Sequence, residues 1–182
     1  FGGKMIRLIP LEHKDLDRVM EIERKSFSSN TWEEKDVYEK RINTFSQGNL
    51  GIWQEDKLIG FICSELWKFE EIYEAERFML SHNIEDYHSD YGDELYISSF
   101  AIDKNFSSKG LGKLSFDKFL MEMQEKFEIK SSILLVSDEW IGAKNIYLKN
   151  GYSKIGLINE FFINDIGHKF DGIIMRKSDM LY

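Results

Sequence analysis

Apolar positions along this chain follow two periods, and the switch between them marks its elements. Alternating or continuous apolar runs of four to eight residues suit strands, whereas recurrence at three and four residues suits helices. The stretch Tyr96-Ile97-Ser98-Ser99-Phe100-Ala101-Ile102 reads as a strand. Downstream, Leu114, Phe116, Phe119, Leu120, Met123 and Phe127 recur at helical spacing. Between them lies the polar run Asp103-Lys104-Asn105-Phe106-Ser107-Ser108-Lys109-Gly110-Leu111-Gly112, so a helix N-terminus falls directly on two glycines. Such an end presents unpaired N–H groups and a partial positive charge, and glycine lets an anion approach the backbone closely.

The remaining pattern completes a mixed sheet with helices. Met5-Ile6-Arg7-Leu8-Ile9 reads as a first strand, and Leu16, Val19, Met20 and Ile22 place a helix within residues 15–27. A charged helical segment follows over residues 32–42. Residues 49–54 and 58–63 flank the polar turn Glu55-Asp56-Lys57 and predict a hairpin. Residues 66–93 then form an acidic, aromatic insertion between the third and fourth strands, carrying Glu70, Glu71, Glu74, Glu76, Glu85, Asp86 and Asp90. Its length suggests an acceptor-side element. After the glycine-led helix come a strand at residues 132–136, a helix at 140–149 stopped by Asn150-Gly151, and strands at 152–158 and 172–175. An early hairpin followed by a strand, loop, helix, strand unit predicts an α/β (α+β) fold in one domain, residues 5–182. Phe1-Gly2-Gly3-Lys4 precede a natural-looking start at Met5 and read as a cloning remnant.

Composition narrows the function. A net charge of −8 disfavours a nucleic-acid partner and suits a cationic substrate. No apolar stretch approaches the roughly 20 residues of a membrane span, which makes a cytoplasmic protein the expectation. Cys63 is the single cysteine, in an apolar strand, and reads as a core residue rather than a nucleophile. His13, His82, His88 and His168 share no ligand spacing; most read as surface residues, and no metal site is expected.

The loop lacks G-x-G-x-x-G and also lacks the G-K-[ST] of a nucleoside triphosphate site. Its form and its place after a central strand resemble the acyl-CoA pyrophosphate loop of the GCN5-related N-acetyltransferases, the GNAT superfamily. A second segment, Ala143-Lys144-Asn145-Ile146-Tyr147-Leu148-Lys149-Asn150-Gly151-Tyr152, is similar to that family's Ala-x-x-x-Tyr-x-x-x-Gly-Phe run. The resemblance implies a central sheet of about seven strands, with the fourth and fifth splayed to receive pantetheine. It also implies acetyl-CoA as cosubstrate. Phe100, Ala101 and Ile102 would contact pantetheine, and Ser107, Ser108, Lys109, Gly110, Leu111, Gly112 and Lys113 the pyrophosphate. Ser107 stands where the family usually has Gln or Arg, which leaves recognition to backbone amides. Trp140 stands where the family often has Asn, and Asn145 is the nearby amide, on a different helical face from Tyr147.

In related enzymes the tyrosine at the place of Tyr147 protonates the departing thiolate, so Tyr147 is the expected general acid. Glu94 reads as a candidate base, on the same alternating face as Tyr96, Ser98 and Phe100, and Glu65 is a second candidate. Relatives without a dedicated base leave a water-mediated route open. The resemblance implies a small-molecule or peptide amine as acceptor and direct transfer, with a monomer or homodimer as the assembly. The alternative is a non-catalytic acyl-CoA-binding module that uses the insertion for regulation or partner contact.

Overall fold

A computed structural model describes residues 5–106 and 110–181. Seven strands form one sheet in the order β1-β2-β3-β4-β5-β7-β6. They are β1 (Arg7–Pro10), β2 (Asn49–Gln54), β3 (Lys57–Trp67), β4 (Glu94–Ile102), β5 (Ser131–Ser137), β6 (Ser153–Ile163) and β7 (Lys169–Lys177). All pairs are antiparallel except β4 with β5. The helices are α1 (Leu16–Ser26), α2 (Lys35–Thr44), the single turn α3 (Ile84–Tyr87), α4 (Leu111–Lys126) and α5 (Ile141–Lys149). None of the described helices is long and apolar enough to cross a membrane.

Both faces of the central strands are covered, which explains their nearly continuous apolar sequence. On one face Ile62, Leu66, Leu95, Ile97 and Leu134 pack with Phe116, Phe119 and Met123 of α4 and Tyr147 of α5. On the other, Phe61, Cys63 and Ala101 pack with Leu16, Val19 and Ile22 of α1 and Tyr38 of α2. Below the insertion, Trp67, Tyr96 and Ile133 meet Tyr73 and Phe78 in a third, aromatic cluster.

The ladder around β4 is irregular in two places. First, β3 and β4 pair Cys63 with Ser99 but Ser64 with Ile97, so Ser98 is an extra residue in β4. A bulge of this kind exchanges the faces of all residues beyond it. Tyr96 accordingly shares the α1/α2 side of the sheet with Ser99 and Ala101, while Phe100 joins the α4 side. The strict alternation expected from Glu94 through Phe100 therefore breaks at Ser98. Second, β4 pairs with β5 only from Glu94↔Ser131 to Ile97↔Leu134. Beyond the bulge the two strands separate, as the resemblance implies.

Candidate active site

The separation of β4 from β5 opens a cavity of about 630 Å³. Its walls come from β4 residues 96–102, Leu134 and Leu135 of β5, Trp140, Ala143 and Tyr147 at α5, and residues 158–162 of β6. The α1–α2 region adds Glu23, Phe27, Glu33 and Arg41, and the insertion adds residues 78–80 and His82. Phe100, Ala101, Ile102 and Tyr147, four of the residues singled out from sequence, thus meet at one cavity.

Tyr147 is buried, with its ring 5.2 Å from that of Phe116 and 5.9 Å from that of Tyr152. Burial pushes its hydroxyl well above the ordinary tyrosine value, so it carries its proton at neutral pH. Trp140 bridges the cavity walls, 5.6 Å from Phe27 of the α1 end and 5.0 Å from Phe162 of β6. An indole thus fills the place at which the resemblance expects an amide. Asn145 is exposed and is not among the residues that line the cavity.

At the loop, Ser107, Ser108 and Lys109 lie outside the described residues. The turn before them is set by Asp103, whose carboxylate accepts from the Asn105 N–H at 2.9 Å and from Arg18 at 2.7 Å. The Asn105 N–H, with Arg18 after it, holds this carboxyl below its ordinary value against the opposing effect of burial. The two glycines have different reasons. Gly110 caps α4 with φ of 74°, a left-handed conformation that a side chain disfavours. A Cβ on Gly112 would sit 3.2 Å from Ile146 of α5, so this glycine lets the two helices approach. Leu111 anchors the turn in the core, and the first N–H groups of α4 lack intrahelical acceptors. Lys113 is half-exposed and pairs with Asp117 at 2.6 Å.

Glu94 lies outside the cavity lining and is fully buried. Its two oxygens accept from Arg176 Nε at 2.7 Å and Nη2 at 2.9 Å, and Ser131 donates to one of them at 2.7 Å. Arg176 also donates to the carbonyls of Glu70 and Glu71 and stacks on Phe69, so the pair ties the stem of the insertion to the sheet. Glu65 accepts from Trp67 Nε1 at 3.1 Å and contacts His82 Nε2 at 2.7 Å. His82 is thus a buried residue at the cavity, not the surface residue expected from its scatter in sequence. Cys63 is a core residue whose thiol burial pushes up to about 11.

A buried polar group that the sequence pattern did not single out backs the cavity from the α1–α2 side. Glu23 accepts from Tyr38 at 3.0 Å and from the Glu33 N–H at 2.8 Å, and pairs with Arg24. Burial raises its carboxyl above the ordinary value, and the Glu33 N–H and the Tyr38 hydroxyl oppose that rise. Arg41 donates to Ser99 Oγ at 3.1 Å and lies over the Tyr38 ring. Across the mouth, Asp165 accepts from the Ser29 N–H and hydroxyl, both at 3.0 Å, fastening the β6–β7 loop to the α1–α2 connection. For Glu23, Tyr38 and Arg41 helical periodicity was the only signal, and it speaks of burial rather than chemistry.

A family model described as the acetyltransferase (GNAT) family matches residues 16–152. No curated protein matches the chain. Among solved structures, the chain is similar to the loading GNATL domain of CurA from Lyngbya majuscula, with a TM-score of 0.80 at 14% identity over 96% of this chain and 98% of that one. It is also similar to the ribosomal-protein-S18-alanine N-acetyltransferase from Escherichia coli, with a TM-score of 0.72 at 17% identity over 98% and 96%. Naa50 from Arabidopsis thaliana, solved with the bisubstrate analogue CoA-Ac-MVNAL, gives a TM-score of 0.69 at 17% identity over 95% and 98%.

Proposed function

The chain belongs to the acetyltransferase (GNAT) family, and on that premise we propose that it moves an acetyl group from acetyl-CoA to a primary amine by direct attack. The observation that carries this reading is the cavity in the β4–β5 separation, with Tyr147 on one wall and Glu33 and Arg41 on another. In this reading the amides of Gly110, Leu111, Gly112 and Lys113, with Ser107, Ser108 and Lys109 before them, hold the pyrophosphate. Phe100, Ala101 and Ile102 offer backbone groups that β5 leaves unpaired, and these run along pantetheine. The CoA analogue bound by the Arabidopsis relative supports the same choice of cosubstrate.

The neutral amine nitrogen attacks the thioester carbon, a C–N bond forms, and the C–S electron pair leaves on sulfur. From ammonium to amide the nitrogen gives up two protons; sulfur takes one and solvent the other. Tyr147 hands sulfur its proton and is restored, through solvent, by one from the nitrogen. Burial keeps its hydroxyl protonated and also makes it a weaker acid, so hydrogen bonding to the developing thiolate comes first. The same apolar surroundings raise the proton affinity of the thiolate, which favours completion of the transfer. Holding both reactants in one cavity lowers the entropic cost of their encounter. Glu94, neutralised by Arg176, receives no role in proton removal.

The test is Tyr147→Phe, assayed by free-thiol release from acetyl-CoA and by the melting shift that CoA produces. Loss of an acid should lower kcat by roughly 100-fold or more while the melting shift persists. Unchanged turnover removes Tyr147 from the mechanism. A CoA shift with no amine turned over favours the acyl-CoA-binding module, and no shift at millimolar CoA rejects both.

A further inference from the structure

Two buried polar atoms at the cavity have no hydrogen-bond partner among the described residues. Glu33 and His82 are each 8% exposed, and both line the cavity. Glu33 Oε1 accepts from the Ser81 N–H at 2.8 Å, but Oε2 accepts no hydrogen bond. His82 Nε2 meets Glu65 at 2.7 Å, and Nδ1 has no partner. With Nε2 donating to the Glu65 carboxylate, the neutral ring presents a lone pair at Nδ1. Ser81 binds Glu33 and is the neighbour of His82, so one short segment of the insertion ties both residues together.

Unmade hydrogen bonds of buried groups are costly, and what this pair lacks is donors. Arg41 does not supply them: its Nη1 is committed to Ser99, and its Nη2 stays 4.0 Å from Glu33 Oε2. Ser99 is the first residue of β4 beyond the bulge, where the strand parts from β5. The shortage of donors therefore lies beside the opening in which the thioester would sit.

The surrounding wall has a different character. Phe27, Phe78, Met79, Leu80, Phe161 and Phe162 line the same cavity. The acidic residues of the insertion, Glu70, Glu71, Glu74, Glu76, Glu85, Asp86 and Asp90, are all exposed and none of them lines it. The insertion turns its apolar segment to the cavity and its charge to solvent, and the other carboxylates of the lining, Glu23 and Glu160, already pair with Arg24 and Lys169.

We propose that the acceptor is a monoamine with an apolar, ring-sized body, whose nitrogen donates to Glu33 Oε2 and His82 Nδ1 while the body rests on the phenylalanines of the wall. This rests on the acyl-transfer reading for the choice of an amine, but binding tests it independently of turnover. Titration of the CoA-loaded protein with 2-phenylethylamine, 2-phenylethanol and spermidine should give at least tenfold tighter binding of the aromatic amine than of either other compound. Glu33→Gln and His82→Phe should each weaken that binding tenfold or more and leave the CoA melting shift unchanged, whereas Glu76→Gln should change neither. The alcohol comparison needs no variant and stands even if a substitution impairs folding. Preference for spermidine, equal binding of the alcohol, or no binding of the aromatic amine at millimolar concentration overturns the proposal. Acetylation of the bound amine then decides the acyl-transfer reading separately.

Discussion

Replacing Arg176 by alanine should destabilise the fold severely without touching the cavity. The guanidinium makes two hydrogen bonds to Glu94, two to the carbonyls of Glu70 and Glu71, and a stacking contact 4.5 Å from the centre of the Phe69 ring. Its loss leaves an unexposed carboxylate with the hydroxyls of Ser131 and Tyr73 beside it in place of a cation. Removing one member of a buried pair costs about 3–5 kcal/mol, mainly because the other charge is left uncompensated. For a domain of this size each kcal/mol lowers Tm by about 2–4 °C, so the expected fall is about 6–20 °C by calorimetry or circular dichroism. A double change, Glu94→Leu with Arg176→Met, should recover much of the loss, because the penalty belongs to the orphaned charge. A fall below about 3 °C for Arg176→Ala, or a double variant no better than the single one, would refute the reasoning. The double variant should also keep its amine turnover, which a role for Glu94 as the base would not permit.

Gly110→Ala should cost about 1–2 kcal/mol, because its φ of 74° disfavours a Cβ and no atom of the described residues lies within 4 Å of one; urea unfolding measures the loss, and an unchanged midpoint would contradict the assigned conformation. Asp103→Asn should lower Tm by an amount that depends on pH. The folded carboxyl lies below its ordinary value of 3.8, so its contribution is present above that value and lost as pH falls through the folded one. Melting curves of both proteins should therefore stay apart near neutrality and converge below about pH 4; a gap that widens toward acid would contradict the assignment.

The helices and most strands were legible because burial on a known period leaves a mark in sequence. Where polar residues are buried the mark fails. The apolar run of the third strand reads as ending at Cys63, with Glu65 closing the strand before the insertion at residue 66; in the fold it continues to Trp67, with Ser64 donating to the Gly48 carbonyl and Glu65 bonded to Trp67 and His82. The sixth strand reads as ending at Ile158, yet it resumes to Ile163 beyond an irregularity in which Glu160 has φ of 51°. Tyr147 and Phe100 to Ile102 could be found from motif and strand position, since both lie in continuous segments. Glu33, Arg41 and His82 could not, because two segments far apart in the chain bring them together and no spacing records that.

The extra residue at Ser98 also sets what kinds of change the gene for this chain can absorb. Deleting it would carry Ser99 and Ala101 onto the α4 side and push Phe100 and Ile102 against α1 and α2. Every side chain would keep its identity and lose its surroundings. Single substitutions along this stretch alter one contact each, whereas a loss or gain of one codon re-sorts four residues together. Natural and engineered variation here should therefore be permissive in letters and rigid in length.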